Sequence, residues 1–186
     1  MSLKIEVKGA ELFDPITERF IEVKPTVLTL EHSLIAVSKW ESKYHIPFLK
    51  EGEKTPEQLE YYFKCMTINQ NVDPKVYKGI TEAQQFEILD YIKDPMTATW
   101  FGDITTLPGR GKGKQQETIT SELIYYWMVA LNIPSEYEKW HLNRLLTLIQ
   151  VCNSYNQPPK KMSKSEIIRN NDALNAARKA KMRTRG

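Results

Sequence analysis

Residues 119–154 read ITSELIYYWMVALNIPSEYEKWHLNRLLTLIQVCNS, and this stretch decides the predicted fold. The segment Leu123–Leu131 is apolar on every side, which is typical of a helix that is buried all round. Pro134 interrupts the pattern, and Ser135 is placed to cap the helix that follows. The sequence therefore predicts two helices that form an antiparallel hairpin joined through Ile133 and Pro134.

The second of these helices is predicted over Glu136–Cys152, where polar and apolar residues recur with the 3.6-residue period of an amphipathic helix. One stripe is polar and consists of Glu136, Lys139, Asn143, Thr147, Gln150 and Ser154. Another face is predicted to be buried and consists of Tyr137, His141, Leu145, Leu148 and Cys152, flanked by Leu142, Leu146 and Ile149. We expect the rest of the chain to pack on this hairpin.

The first 30 residues have the pattern of β-strands. LKIEV, RFIEV and TVLTL alternate between apolar and polar residues and are rich in β-branched side chains. Gly9 breaks the first run, Pro25 is predicted to mark a bend or an edge position, and Asp14–Glu18 is predicted to be a turn. We therefore expect a hairpin or a small three-stranded sheet over residues 3–30.

Three helices are predicted between residues 33 and 94. The first runs from Ser33 to about His45. Thr55 with Gln58 and Thr81 with Gln84 are capping boxes that begin the second and third helices. The predicted inner faces are Leu34, Val37, Trp40, Glu41 and Tyr44, then Leu59, Tyr62, Phe63 and Met66, then Phe86, Leu89 and Ile92 with Tyr91 as a further candidate. The predicted fold class is α+β and mostly helical, with a small N-terminal antiparallel sheet and a helical domain built on the central hairpin.

Four regions follow from these patterns. They are an N-terminal α+β region over 1–101, a linker loop over 102–117, the central hairpin over 118–157 and a basic helical tail over 158–186. The linker contains GRGKGK, which lacks the lysine followed by Ser or Thr at the P-loop spacing, so we interpret it as a mobile basic loop rather than a phosphate site.

Composition indicates a soluble globular protein. The 186 residues are 41% hydrophobic and 26% charged, and no apolar run approaches the roughly 18 residues that a membrane span needs. The N-terminus lacks the apolar core of a signal peptide, so a cytosolic location is expected. Cys65 and Cys152 both fall in apolar helical patterns and are predicted to be buried free thiols.

No catalytic constellation is visible in the sequence. His141 lies on the predicted buried face without a nucleophile or a carboxylate pair spaced to work with it, so we expect a core histidine. The sequence predicts no metal, no cofactor and no enzymatic activity. An aromatic group is predicted to be core rather than a platform for nucleic-acid bases, and it comprises Tyr125, Tyr126, Trp127, Tyr137 and Trp140.

The tail after residue 157 is the most informative exposed feature. It carries nine basic and two acidic residues, a charge of +7, which leaves −4 for residues 1–157 out of the total of +3. Three roles stay open for it: a docking helix for a partner protein, a nucleic-acid-binding tail, and a solvated helix. The absence of aromatic residues after Tyr155 disfavours specific base recognition. The candidate partner-binding residues are Lys160, Lys161, Lys164, Ile167, Arg169, Leu174, Arg178, Lys179, Lys181, Arg183 and Arg185.

Whole segments of the chain resemble a known protein family. They are residues 119–153, the segment PPKKMSKSEIIRNNDALNAARKAKMRTRG, the N-terminal LTLEHSLIAVSKWESKYHIPFL, and the shorter NVDP and DPMTATWF. Together they are similar to proteins encoded among the tail genes of long-tailed bacteriophages, namely the tail assembly chaperones. The likeness covers most of the chain but contains no signature motif.

The resemblance implies a non-enzymatic role in the cytoplasm of an infected host cell. Such chaperones associate with the tape measure protein and help tail tube subunits assemble around it. A structural component of the tail or virion is the second interpretation, and a DNA-binding accessory protein that uses the basic tail is the third. The family supplies no site residues that its motifs would place on this sequence.

Overall fold

The structure, a computed structural model, describes residues 2–14, 18–50, 52–99, 118–156 and 164–182. Four strands come first: β1 (Leu3–Val7), β2 (Ala10–Asp14), β3 (Arg19–Val23) and β4 (Thr26–Leu30). The α-helices are α1 (Leu34–Tyr44), α2 (Pro56–Met66), α3 (Glu82–Lys93), α4 (Ser121–Ala130), α5 (Leu142–Asn156) and α6 (Lys164–Met182). Two 3-10 helices lie at Pro74–Gly79 and Ser135–Lys139. The predicted α+β, mostly helical fold class is confirmed.

The four strands form one long antiparallel hairpin with a break in its middle. β1 pairs with β4, and β2 pairs with β3 up to Asp14 and Arg19, next to the predicted turn Asp14–Glu18, whose residues 15–17 lie outside the described residues. We call the β1–β4 half the inner ribbon and the β2–β3 half the arm. Gly9 and Pro25 lie at the break, as the sequence predicts, because proline cannot donate to a strand ladder.

Neighbouring side chains cover both edges of the inner ribbon. The Asn69 side chain accepts from the Thr29 N–H at 2.6 Å and donates to the Val27 carbonyl at 3.2 Å. On the other strand, Gln84 Nε2 donates to the Glu6 carbonyl at 2.7 Å. Because unpaired strand edges invite pairing with other chains, these contacts protect this half of the hairpin.

Gly79 lies where the first 3-10 helix meets the junction of the two ribbons. A Cβ at Gly79 would lie 2.9 Å from Val23 Cγ1 and 3.0 Å from Val7 Cγ1, closer than packed carbon atoms approach. Glycine therefore allows this helix to pack directly on the sheet, which fixes one wall of the groove described below.

Helix α1 is central to the core. Its buried residues include Leu34, Val37 and Trp40, and the Trp40 indole donates to the Gln58 carbonyl at 3.0 Å. The backbones of α2 and α4 both approach α1 closely. The inner faces of α1 and α2 are confirmed at their main positions, and both predicted capping boxes are present.

The predicted inner face of α3 is wrong in one important respect. The structure buries Ile88 and Tyr91, whereas Phe86 is 67% exposed. Leu89 and Ile92 are only half-buried. The buried face of α3 is therefore rotated from the predicted one, since Ile88 and Tyr91, three residues apart, lie on the side that packs on the core.

The prediction that the segment 123–131 is buried on all sides is also wrong. Helix α4 buries Ser121, Ile124 and Met128, which lie on one side, and it exposes the opposite side. An all-apolar composition is thus compatible with a helix at the surface when only one face has a partner within the chain.

The helix predicted over Glu136–Cys152 begins later than expected. Residues Ser135–Lys139 form a 3-10 helix without a side-chain cap, so Ser135 does not cap an α-helix, and α5 starts at Leu142. The sequence places Thr147 and Gln150 on the polar stripe, but both are buried in the structure. The Thr147 hydroxyl donates to the Asn143 carbonyl at 2.9 Å, which satisfies its donor inside the helix.

The chain divides into two compact units, Met1–Ser154 and Tyr155–Gly186. The second unit contains α6, whose bounds agree with the predicted last helix. The linker loop predicted over 102–117 lies outside the described residues, as do Trp100 and Phe101. Cys65 and Cys152 are free thiols, but both are half-buried rather than buried.

Candidate partner-binding surfaces

The outer face of the arm carries an exposed pair of aromatic rings. Phe13 and Phe20 are directly opposite each other across the two strands, and their rings meet edge to face with centroids 5.5 Å apart. They are 56% and 73% exposed. Because aromatic side chains carry large apolar areas, an exposed pair is a candidate contact for a partner.

Two carboxylates flank the aromatic pair on the same face. Glu11 and Glu22 are also directly opposite each other, and both are exposed. Like charges in opposed positions destabilise an isolated ribbon, and exposed phenylalanines contribute little burial. The residues on the outer face of the arm therefore contribute little to the stability of the arm itself.

A groove of about 560 Å³ lies beside the arm, between it, the start of α2 and the first 3-10 helix. Its apolar lining includes Leu12 and Ile21, which lie on the arm face opposite Phe20, together with Leu59, Phe63, Tyr77 and Ile80. Phe13 also borders the groove, and charged side chains line it at Lys54, Glu57, Glu60 and Lys78. The volume falls in the range that holds a small ligand or a few side chains of a protein partner.

A second apolar surface lies on α4. Tyr126 is 65% exposed and Val129 is 77% exposed, and they point away from the buried Ile124 and Met128. The spacing of Tyr126 and Val129 places both on one helical face. Because this surface is a convex helix face, it offers a flatter contact than the groove beside the arm.

None of the five aromatic residues predicted as core is fully buried, although Tyr125, Trp127 and Tyr137 pack against the core. Tyr126 is exposed, and Tyr125, Trp127, Tyr137 and Trp140 are half-buried. The Tyr137 and Trp140 rings stack at 4.0 Å, and the Arg144 guanidinium lies 4.2 Å from the Trp140 centroid. These rings stabilise the turn between α4 and α5 by contacts with each other.

The residues proposed from the basic tail fall into three groups. Arg169, Leu174, Arg178 and Lys179 lie on α6 with exposed side chains. Lys164, Ile167 and Lys181 belong to α6 by their backbone. Lys160, Lys161, Arg183 and Arg185 lie outside the described residues.

The exposed cations of α6 do not share one face. Arg169 and Arg178 are nine residues apart, which places them on opposite sides of a helix with 3.6 residues per turn. Lys179 follows Arg178 with a rotation of about 100°. The exposed cations of α6 therefore form no single basic stripe along the described part of the helix.

The buried titratable side chains of the first unit have structural roles. The Glu41 carboxylate accepts from the Phe48 N–H at 2.7 Å and from the Ser121 N–H at 2.8 Å. The first bond holds Phe48, in the segment after α1, and the second ties the start of α4 to α1. A buried carboxylate with two backbone donors is compensated, so Glu41 needs no ligand to explain it.

Two buried histidines lie beside each other near the end of β4. The His32 and His141 ring centroids are 4.9 Å apart, His32 Nδ1 is hydrogen-bonded to the Tyr62 hydroxyl, and His141 Nε2 donates to the Tyr91 carbonyl at 3.0 Å. Burial, followed by the neighbouring His141, lowers the pKa of His32 to about 3. Burial also lowers the pKa of His141. Both imidazoles are therefore neutral near pH 7, and the burial predicted for His141 is confirmed.

Two kinds of site are absent from the described residues. No group of three or more His, Cys, Asp or Glu side chains suited to a metal ion occurs in the part of the chain that the structure describes. Within that same part, no helix is long and apolar enough to cross a membrane. Comparisons with protein-family models, with curated proteins and with solved structures give no match.

Sequence reasoning did not select the arm or the exposed face of α4. The predicted turn Asp14–Glu18 is centred on residue 16, three residues from Phe13 and four from Phe20, so its bounds alone do not pair the two rings. The observed register, with Asp14 opposite Arg19, is what sets Phe13 and Phe20 opposite each other. No signal distinguishes the exposed face of α4, because apolar residues occur all round that helix.

Proposed function

We propose that this protein is a non-enzymatic tail assembly chaperone of a tailed phage. It binds the tape measure protein, the tail tube protein or both, in the cytoplasm of the infected host cell, while the tail is built. The resemblance of its sequence segments to that family supplies the proposal, and the exposed aromatic pair Phe13–Phe20 is the structural observation that supports it.

A chaperone of this kind needs apolar surface that is accessible before its partner arrives and that is shaped to hold partner side chains. The aromatic pair on the outer face of the arm is accessible, and the groove beside the opposite face has the volume to hold partner side chains. Helix α6 suits an accessory role, because an exposed helix of its length is marginally stable alone and gains stability when a partner covers it.

The test is co-purification from infected cells with a tag at the N-terminus, followed by mass spectrometry of the captured proteins and of finished virions. We expect capture of the tape measure or tube protein and no tagged protein in virions. Tagged protein at a fixed copy number in virions would instead make it a structural component of the tail.

The charge of the tail, +7 over residues 158–186, favours one further candidate, a DNA-binding accessory protein. That function requires binding to duplex DNA that weakens steeply with salt, because each phosphate contact releases counterions. A chain that ends at residue 157 would lose this binding entirely. Equal binding by the full and shortened chains would exclude the tail as a DNA site.

A further inference from the structure

The groove beside the arm contains a lysine in an unusual setting. Lys54 is half-buried, and its ammonium lies 4.4 Å from the Phe48 ring centroid and 5.9 Å from that of Trp40. It makes no hydrogen bond or ion pair with any residue that the structure describes. Burial lowers the pKa of Lys54, which means that the surroundings hold its charge less well than water does.

The other charges around the groove leave this lysine available. Glu60 lines the groove, but its carboxylate lies 2.8 Å from the ammonium of Lys64, a residue that is not part of the lining. Glu57 is exposed at the start of α2, and Lys78 is a second cation in the lining. With Glu60 bound by Lys64, Glu57 is the remaining carboxylate of the lining.

We propose that the groove binds a partner segment in which an apolar side chain is followed closely by a carboxylate. The apolar side chain packs on Leu12, Ile21 and Phe63, and the carboxylate binds the Lys54 ammonium. This inference rests on the proposed function for its biological partner, but the preference for an apolar acid is a property of the groove itself. The partner is thus a protein segment of acidic and apolar character.

Three small probes of one shape test the preference: 3-phenylpropionate, 3-phenylpropanamide and 3-phenylpropylamine. Each is titrated into the full chain labelled with ¹⁵N, and amide chemical shifts report the site. We expect 3-phenylpropionate to shift residues around the groove and to bind about threefold to fivefold more tightly than the amide, the range of a partly exposed ion pair. The amine should bind most weakly.

Lys54→Met removes the charge and keeps an apolar chain against Phe48, so it should bind 3-phenylpropionate and the amide equally. Lys75→Met is the matched control, since Lys75 is exposed and outside the groove lining, and it should behave like the native chain. Equal binding of the acid and the amine by the native chain, shifts confined to other surfaces, or an unchanged preference in Lys54→Met would each overturn the proposal.

Co-purification separates this inference from the proposed function. If Lys54→Met loses the acid preference and also captures less tail protein than Lys75→Met, the groove is the site of the partner. Full capture by Lys54→Met would overturn the groove as that site and leave the chaperone proposal standing. A native chain that binds 3-phenylpropionate at the groove but captures no tail protein would contradict the chaperone proposal alone.

Discussion

The inner ribbon and the arm are two halves of one hairpin with the same alternating pattern, but they differ in how deeply their apolar side chains are buried. In the inner ribbon, Ile5, Val7, Leu28 and Leu30 are buried, and side chains from other elements cover its edges. In the arm, the inward residues Leu12 and Ile21 are only half-buried, whereas Val23, next to the break, is buried. The outward face of the arm carries the exposed pair Phe13 and Phe20 beside the carboxylates Glu11 and Glu22. The comparison indicates that the inner ribbon holds the fold and the arm presents a surface.

The largest effect should come from opening a cavity in the inner ribbon. Leu28→Ala is expected to lower the free energy of unfolding by about 2–5 kcal/mol, because Leu28 is fully buried. Ile21→Ala in the arm should cost clearly less, because Ile21 is half-buried. Chemical denaturation followed by tryptophan fluorescence measures both. Equal losses would show that the arm is as much a part of the core as the inner ribbon.

The pH dependence of the free energy of unfolding should come from the inner-ribbon side of the hairpin. His32 lies two residues after the end of β4, whereas the arm contains no histidine. The folded-state pKa values of His32 and His141 lie below the ordinary value of 6.5. Above that value both states are neutral and stability is complete. Below it the unfolded chain takes up protons that the folded chain does not, so stability falls as the pH falls, for His32 until about pH 3.

Between about pH 7.5 and about pH 5.5, His32 alone should account for a loss of about 1.4 kcal/mol in the free energy of unfolding. His32→Gln should reduce this slope, although it removes the bond to Tyr62 and lowers stability at every pH. His45→Asn is the control, since His45 is exposed and asparagine tolerates its positive φ of 54°. A slope that His32→Gln leaves unchanged would contradict the account.

Uncovering an edge of the inner ribbon should have a smaller effect on stability. Asn69→Ala removes both bonds to β4 and leaves the Thr29 N–H without its partner, which should cost about 1–2 kcal/mol. The exposed edge should also increase aggregation, measured by light scattering on incubation at high concentration. Gln70→Ala, at an exposed neighbouring position, should change neither quantity. If Asn69→Ala changed neither the free energy of unfolding nor the light scattering, the Asn69 side chain would not be needed to protect the edge of β4.

Much of the fold could be predicted because its signals are local. The capping boxes at Thr55 and Thr81, the turn at Asp14–Glu18 and the bounds of α6 each depend on residues close together in sequence. The burial of α3 and α4 could not be predicted, because it depends on distant elements. Phe86 is exposed because Ile88 and Tyr91 occupy the side of α3 that packs on the core.

The candidate site was harder to predict than the fold. The sequence pointed to the charge of the tail, which is visible without structure, and those residues remain a prediction. Thr147 and Gln150 show the general difficulty, since a polar residue at the edge of a helical stripe lies inside or outside according to which neighbour packs there. The groove beside the arm combines residues from four separated segments, and no local pattern in the sequence brings them together.

The smallest effect on stability is expected for the aromatic pair. Phe13→Ser with Phe20→Ser should change the free energy of unfolding by less than about 1 kcal/mol, because both rings are largely exposed and contact chiefly each other. Chemical denaturation of the double variant beside the native chain measures this. A loss as large as that of Leu28→Ala would mean that the pair belongs to the core of the fold.

The most direct test of the account is quantitative co-purification from infected cells with this double variant. The matched control is Tyr126→Ser with Val129→Ser, which removes a comparable exposed apolar surface from α4. The native chain and the α4 variant should capture the tape measure or tube protein equally, and the arm variant should capture at least about tenfold less of it. Equal capture by the arm variant, or a loss confined to the α4 variant, would contradict the claim that the arm is the partner-binding surface.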